Sequence, residues 1–196
     1  MPRSPLLDLP TEIHTERLLL RIPNLQDAEP FQALMEDSHE HLKQWMSWAK
    51  TLPELSATRE RLQQSIQHFL DQKEQLRFML VRRNDGALMG TASFQFLDWA
   101  TPKAEIGYWL GKDFVGQGYM QEAVQAMLYY GFHHMQLHRI EICTDEANRV
   151  SRRIPEKLGF RLEAILQEER RHHLHPEQYI NFCIYGLLRR EYWAMQ

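Results

Sequence analysis

Cysteine is scarce: Cys143 and Cys183 are the two thiols of this 196-residue chain. Two cannot staple a chain of this length, and each falls inside an apolar strand-like run (RIEICT and INFCIY). A disulfide-built scaffold is therefore excluded, and buried reduced thiols are expected. No apolar stretch approaches the roughly 18 residues that cross a bilayer. The opening MPRSPLLDLP breaks its short apolar run with Asp8 and Pro10, unlike a secretory signal. The expected compartment is the cytoplasm, with no membrane partner. A basic excess is missing as well: 23 lysines and arginines face 26 aspartates and glutamates, for a net charge of −3. Direct nucleic-acid binding is not expected of such a balance. Repeats, low-complexity tracts and linkers are absent. With 43% hydrophobic and 25% charged residues, the chain reads as one globular domain over 1–196. Its core is expected over about 15–190, behind a leader of residues 1–14.

What is present is a patterned order of elements. ERLLLRI (Glu16 to Ile22) reads as a strand closed by Pro23-Asn24. Phe31, Leu34 and Met35 give Asp27 to His39 a helical spacing, and Leu42, Trp45, Met46 and Trp48 continue on a similar period. Thr58 is expected to cap a helix reaching about Gln75. RFMLVRR and ALMGTASFQFL, joined through Asn84-Asp85-Gly86, predict a hairpin, and KAEIGYWL (Lys103 to Leu110) a third strand. A helix is expected from Tyr119 to Met135, then the strand RIEICT, a short helix stopped by Gly159, and two closing strands. That order, without strict alternation, predicts an α+β fold with a mixed sheet and disfavours a doubly wound nucleotide fold.

The most informative segment is AEIGYWLGKDFVGQGYMQEAVQAML, a strand, a glycine-containing turn and a helix. Gly116 and Gly118 stand where the helix begins. There small residues let backbone N–H groups turn inward, and the helix dipole favours an anion such as a pyrophosphate. A P-loop is excluded because Gln117 and Gly118 follow Gly116 where Lys and Ser/Thr are required. A dinucleotide fingerprint fails at Gln121. A flexible loop is the plain alternative. Strand alternation puts Glu105 on one face with Gly107 and Trp109, opposite Ala104, Ile106 and Tyr108. Partial burial beside Trp109 would raise the Glu105 carboxyl toward the range of a useful base. An ordinary solvated or paired carboxylate is the alternative. Asn148 and Ser151 are both good helix N-caps. Pro155 removes the N–H that the Ser151 carbonyl would use, which predicts a shifted helix start. His172, His173 and His175 lack the spacing of a metal site, so no metal is expected and a solvated hairpin tip is the preferred reading. Trp45 and Trp48 fit either the lip of a site or the core.

Gly116-x-Gly118, with Asp113 where Gln or Arg often lies, resembles motif A of the GCN5-related N-acetyltransferases (GNAT). AEIGYWL, GYMQEA, the N-R-V-S…EKLGF run, the opening TERLLLRIPNLQDAE and WMSW are similar to the RimJ/RimL branch of ribosomal-protein N-terminal acetyltransferases. This resemblance, over about Thr15 to Leu188, implies a mostly antiparallel sheet of about seven strands, with one splayed parallel pair and helices on both faces. It implies acetyl-CoA as co-substrate, held by Trp109, Leu110, Val115, Gly116, Gln117, Gly118, Tyr119, Met120, Asn148 and Ser151. It further implies Glu105 as catalytic base, with Glu168, Glu169 or a water as alternatives, and Ser151 as the donor near the sulfur. Arg149, Arg152 and Arg153 become candidates for the coenzyme phosphates. The implied reaction is direct acetyl transfer to a primary amine in a ternary complex. The expected acceptor is a protein N-terminal α-amine, with a ribosomal protein as possible partner and a homodimer as possible assembly. The alternatives are a small amine or aminoacyl compound as acceptor, a non-catalytic acyl-CoA-binding module, and a ribosome-associated protein.

Overall fold

The computed structural model describes residues 7–196. Among these, eight strands form one sheet: β1 (Glu12–His14), β2 (Leu18–Arg21), β3 (Gln75–Arg82), β4 (Leu88–Asp98), β5 (Lys103–Leu110), β6 (Arg139–Asp145), β7 (Arg161–Arg171) and β8 (Tyr179–Leu188). Their order is β1-β2-β3-β4-β5-β6-β8-β7. Every neighbouring pair is antiparallel except β5–β6, so the mixed α+β architecture stands. The strand beyond the expected seven is β1, which lies inside the segment read as a leader. Glu12 pairs with Arg21 and His14 with Leu19, Leu9 is buried, and the Tyr130 hydroxyl donates to the Pro10 carbonyl at 2.7 Å. The ordered core therefore begins before residue 15.

Alternation along the central strands produces two chemically different faces. Phe78, Leu80, Ala92, Phe94, Ala104 and Ile106 point to one face and are buried beneath α4 (Tyr119–Tyr129). From that helix Met120, Ala123, Val124 and Met127 close the larger core. α5 (Arg149–Lys157) lies on β6 and β7 beside it. On the opposite face Met79 packs under α1 (Ala28–Asp37) and α3 (Leu55–Asp71), with Ala28, Phe31, Met35 and Leu62. The rest of that face, toward β5, is polar and open.

Two local expectations are corrected, and one is refined. Thr58 does not cap α3 but lies inside it, where its hydroxyl donates to Gln32 Oε1 of α1 at 2.7 Å; the helix starts directly after Pro53-Glu54. The helix expected from about Tyr119 to Met135 is present, as α4 to Tyr129 and a π-helical continuation over Tyr130–His134. There Gly131 sits so close to Ile140 and Phe94 that a Cβ would approach them to 2.8 and 3.0 Å. The WMSW period makes only the short α2 (His39–Leu42) and a 3-10 turn over Ser47–Lys50. A last helix, α6 (Arg189–Ala194), follows β8.

Candidate active site

The parallel pair β5–β6 is hydrogen-bonded for three residues only: Lys103 with Arg139, Ala104 with Ile140, Glu105 with Glu141. Beyond Glu105 the strands part, although β5 runs on to Leu110 and β6 to Asp145. The parting leaves the facing backbone edges of both strands unpaired with each other. Such an edge can accept an extended, amide-bearing chain as a strand is accepted.

At the end of β5 the chain makes a 3-10 turn over Lys112–Phe114 and enters α4 through Gly116 (φ +79°) and Gly118 (φ +81°). Both glycines are in the left-handed region that side chains rarely adopt. A Cβ on Gly116 would meet nothing within 4 Å, and one on Gly118 only Arg17 Nη2 at 3.4 Å, so this turn is not filled by bulky groups. The N–H groups from Gly116 to Met120 have no protein acceptor among the described residues. The turn is held from outside. Arg17 donates to the Gln117 carbonyl at 3.0 Å and lies 4.4 Å over the Tyr119 ring, while Gln117 Nε2 donates to the Asp113 carbonyl at 2.7 Å. Glu122, an acid in the first turn of α4, would repel an anion if left free. Burial acts to raise its carboxyl, but bonds from the Thr15 hydroxyl (2.6 Å) and from Arg17 (2.6 Å) outweigh this and hold it below the usual range. Asp113 is exposed. The turn thus has the geometry and charge that a pyrophosphate requires.

Across the sheet lies a cleft of about 630 Å³ between the open polar face, the Trp45–Trp48 segment and the β7–β8 hairpin. Glu105 lines it. Gln95, its partner on β4, donates Nε2 to Glu105 Oε1 at 2.8 Å. Burial pushes the Glu105 carboxyl upward, opposed by hydrogen bonds from Gln95 and Cys143 and reinforced by Glu141 on the neighbouring strand. The Cys143 thiol is pushed up by burial and by Glu105, which keeps it a neutral donor rather than a nucleophile. Gly107 is needed here: a Cβ would come within 2.7 Å of Gln95 Nε2 and displace the amide that orients Glu105. Trp109 packs against Phe31 (5.4 Å) and Trp48 (5.7 Å), so its side chain walls the cleft. Only its backbone, with that of the buried Leu110, belongs to the parted edge.

Ser151 and Asn148 come to the same opening from α5. The Asn148 side chain caps the helix, accepting from the Ser151 N–H at 3.1 Å, and α5 starts directly after it at Arg149. The shifted start expected from Pro155 does not occur. The Ser151 carbonyl that Pro155 leaves without its N–H accepts instead from the Tyr108 hydroxyl at 3.2 Å, which also lies 3.2 Å from Ser151 Oγ. Burial pushes the Tyr108 phenol up, so it stays protonated. Sequence reasoning missed Tyr108; the available signal was a buried-face tyrosine three residues beyond Glu105 together with an unexplained proline. Ser151→Ala is expected to lower kcat about tenfold. Tyr108→Phe is expected to cost about 1 kcal/mol of stability by removing the donor to a half-buried carbonyl. Steady-state rates and urea titrations read the two effects separately.

Other candidates fall outside the opening. Glu168 and Glu169 are exposed on an irregular stretch of β7 and do not line the cleft. Arg152 is occupied by the Tyr185 hydroxyl (2.9 Å) and the Glu146 carbonyl (3.1 Å), while Arg149 and Arg153 are exposed. His172 and His173 stack at 5.1 Å, and His173 Nε2 lies 2.7 Å from the Lys43 carbonyl, which ties the hairpin tip to the segment after α2.

The family model described as acetyltransferase (GNAT) domain matches residues 17–161, well over half of the chain. The chain belongs to the GNAT acetyltransferases. Relatives of this GNAT chain include the uncharacterized N-acetyltransferase p20 of Bacillus licheniformis, 29% identical, with 92% of this chain and 97% of that protein covered. Another is the ribosomal-protein-serine acetyltransferase of Escherichia coli, 27% identical, with 79% of this chain and 84% of that protein covered. Among solved structures, RimL, the ribosomal L7/L12 alpha-N-protein acetyltransferase in complex with coenzyme A, superposes with a TM-score of 0.82 at 21% identity, covering 90% of this chain and 97% of that one. The architecture is thus the GNAT fold, and the protein is an N-acetyltransferase of the GNAT type.

Proposed function

We propose that this N-acetyltransferase moves the acetyl group of acetyl-CoA directly onto an N-terminal α-amine of a ribosomal or similar protein. The observation that carries the reading is the position of Glu105. It stands at the last paired residue of β5, where the strands part, with its carboxyl on the cleft side. The Tyr108–Ser151 hydroxyl pair lies on the other side of the same opening. Acetyl-CoA supplies the acetyl group as a thioester, so a thiolate leaves when the C–S bond breaks.

The chain's own groups match that need. The turn from Gly116 to Met120 offers its N–H groups to the pyrophosphate, and the parted strand edges offer theirs to the pantetheine arm. An α-amine, with pKa about 7.7–8.0, is partly neutral near pH 7 and attacks the carbonyl carbon unaided by a strong base. Glu105, its carboxyl raised by burial, takes the proton that the amine sheds as the new C–N bond forms. The Ser151 hydroxyl, which lies against the Tyr108 phenol, turns its O–H from that phenol toward the departing sulfur; no covalent enzyme adduct is invoked, and Cys143 is held neutral. The E. coli relative, a ribosomal-protein-serine acetyltransferase, supports the acceptor class.

The test is thiol release from acetyl-CoA with N-terminal peptides and small amines, plus mass spectrometry of acetylated products in a cell extract. The expected result is release that depends on a free α-amine, with acetylated protein N-termini. Tight acetyl-CoA binding with no release across the panel would leave a non-catalytic binding module.

A further inference from the structure

The polar floor of the cleft carries a charge that the reaction described above does not use. Pairing across β3, β4 and β5 places Gln75 opposite Gln95 and Gln95 opposite Glu105, and one step along it places Arg77 opposite Ser93 and Ser93 opposite Gly107. Arg77 is therefore on the same face as Glu105, two strands away, about 10 Å in the hydrogen-bonding direction. Its side chain is half-buried in the cleft wall, and its polar partner is a neutral amide, Gln75 Oε1 at 3.2 Å. That amide is itself engaged, donating Nε2 to Ser93 Oγ at 3.1 Å. Among the described residues no carboxylate lies within ion-pair distance of Arg77, and none pairs with Arg61, the cleft-lining arginine of α3 beside it. Burial and the like charge of Arg61 both disfavour the Arg77 cation.

A half-buried guanidinium without a counter-ion carries a desolvation cost, and its planar fork suits a carboxylate or a phosphate. The surroundings repeat the bias. Arg61, Arg77, Arg170 and Arg171 line the cleft against two acids, Glu105 and Asp145, in a chain whose overall charge is −3. Arg170 and Arg171 lie over the rings of Phe182 (3.8 Å) and Tyr179 (4.8 Å), whereas among the described residues Arg61 and Arg77 have neither a ring nor a carboxylate against them.

We propose that the acceptor is an amine bearing an anionic oxygen group, a carboxylate or a phosphate, which docks on Arg77 and Arg61 while the amine reaches Glu105. The proposal rests on the reading of the cleft as an amine-acetylation site. Bound this way, the acceptor supplies the counter-ion that Arg77 lacks and is fixed at both ends, so its nitrogen is positioned and not merely captured.

Matched peptide amides test it: Ser-Asp-Ala against Ser-Asn-Ala for a carboxylate, and Ser-phosphoserine-Ala against Ser-Ser-Ala for a phosphate. The wild-type enzyme is expected to show kcat/KM at least tenfold higher for an acidic member than for its neutral twin, with the ratio shrinking as salt rises. The larger of the two ratios identifies the anion. Arg77→Met is expected to bring that ratio close to one without lowering the melting temperature, since an unpaired charge is removed, and Arg77→Lys to keep part of it. Equal rates for acidic and neutral twins overturn the proposal alone, as does an acid preference that survives Arg77→Met. Absence of thiol release with every acceptor overturns the acetyltransfer reading of the cleft and the proposal with it.

Discussion

Glu105→Gln is expected to lower kcat/KM about 100-fold at neutral pH and above, within the range general-base help supplies. The substitution keeps the oxygen that accepts from Gln95 Nε2, so the network across β4 and β5 survives and only proton acceptance is lost. In the wild type, burial raises the carboxyl, so the acid limb of the pH–rate profile is expected to lie above the ordinary carboxylate range. The variant loses that limb, and the gap between the two narrows as pH falls and wild-type Glu105 becomes protonated. Stability carries a second signature. A carboxyl whose pKa is raised by folding favours the folded state only while protonated, below the unfolded pKa, and that contribution disappears as pH rises through the folded pKa. At neutral pH the glutamine variant is therefore expected to melt no lower than wild type, with the difference vanishing in acid. Profiles of kcat/KM from about pH 5 to 9, with melting curves over the same span, give both readouts. Wild-type rates throughout would remove Glu105 as the base.

Gly118→Val is expected to raise the KM for acetyl-CoA at least tenfold, with a smaller fall in kcat at saturation. At φ +81° a β-branched residue pays about 1–2 kcal/mol in backbone strain, which the turn relieves by rotating its N–H groups away from the anion they are to meet. The Cβ itself would meet little, with Arg17 Nη2 the nearest atom at 3.4 Å, so bulk alone does not account for the effect. Gly86 provides the control. It has φ +73° and nothing within 4 Å of a built Cβ, in the β3–β4 turn. Gly86→Val therefore imposes comparable strain away from the cradle, and is expected to lower the melting temperature while leaving the KM for acetyl-CoA unchanged. If both variants raise KM equally, the effect is general loosening and the pyrophosphate assignment falls. Calorimetric titration with coenzyme A provides the same comparison at equilibrium.

Much of this arrangement was legible in short-range pattern. KAEIGYWL alternates strictly enough that Glu105, Gly107 and Trp109 had to share a face. The Gly116-Gln117-Gly118 step had to break the strand and open a helix. Asn148 read as an N-cap, and it is one. Two departures share a cause: the place of Thr58 and the start of α5 ahead of Pro155 look different from their neighbours in sequence because each depends on a partner distant in the chain, Gln32 and Tyr108. β1 was hidden for the same reason, because a three-residue strand has no periodicity to detect and exists through its pairing with β2.

The amino-acid sequence by itself determined the central strands and their faces, the helix after β5 and the glycine turn, since local sterics and alternation decide those within a few residues. The tertiary structure alone decided where β5 and β6 part, which carbonyl Tyr108 serves, and that Arg77 and Arg61 meet in the cleft without an acid. Those are questions of register and of which distant strands become neighbours, and a side chain has no local means of specifying what will stand opposite it.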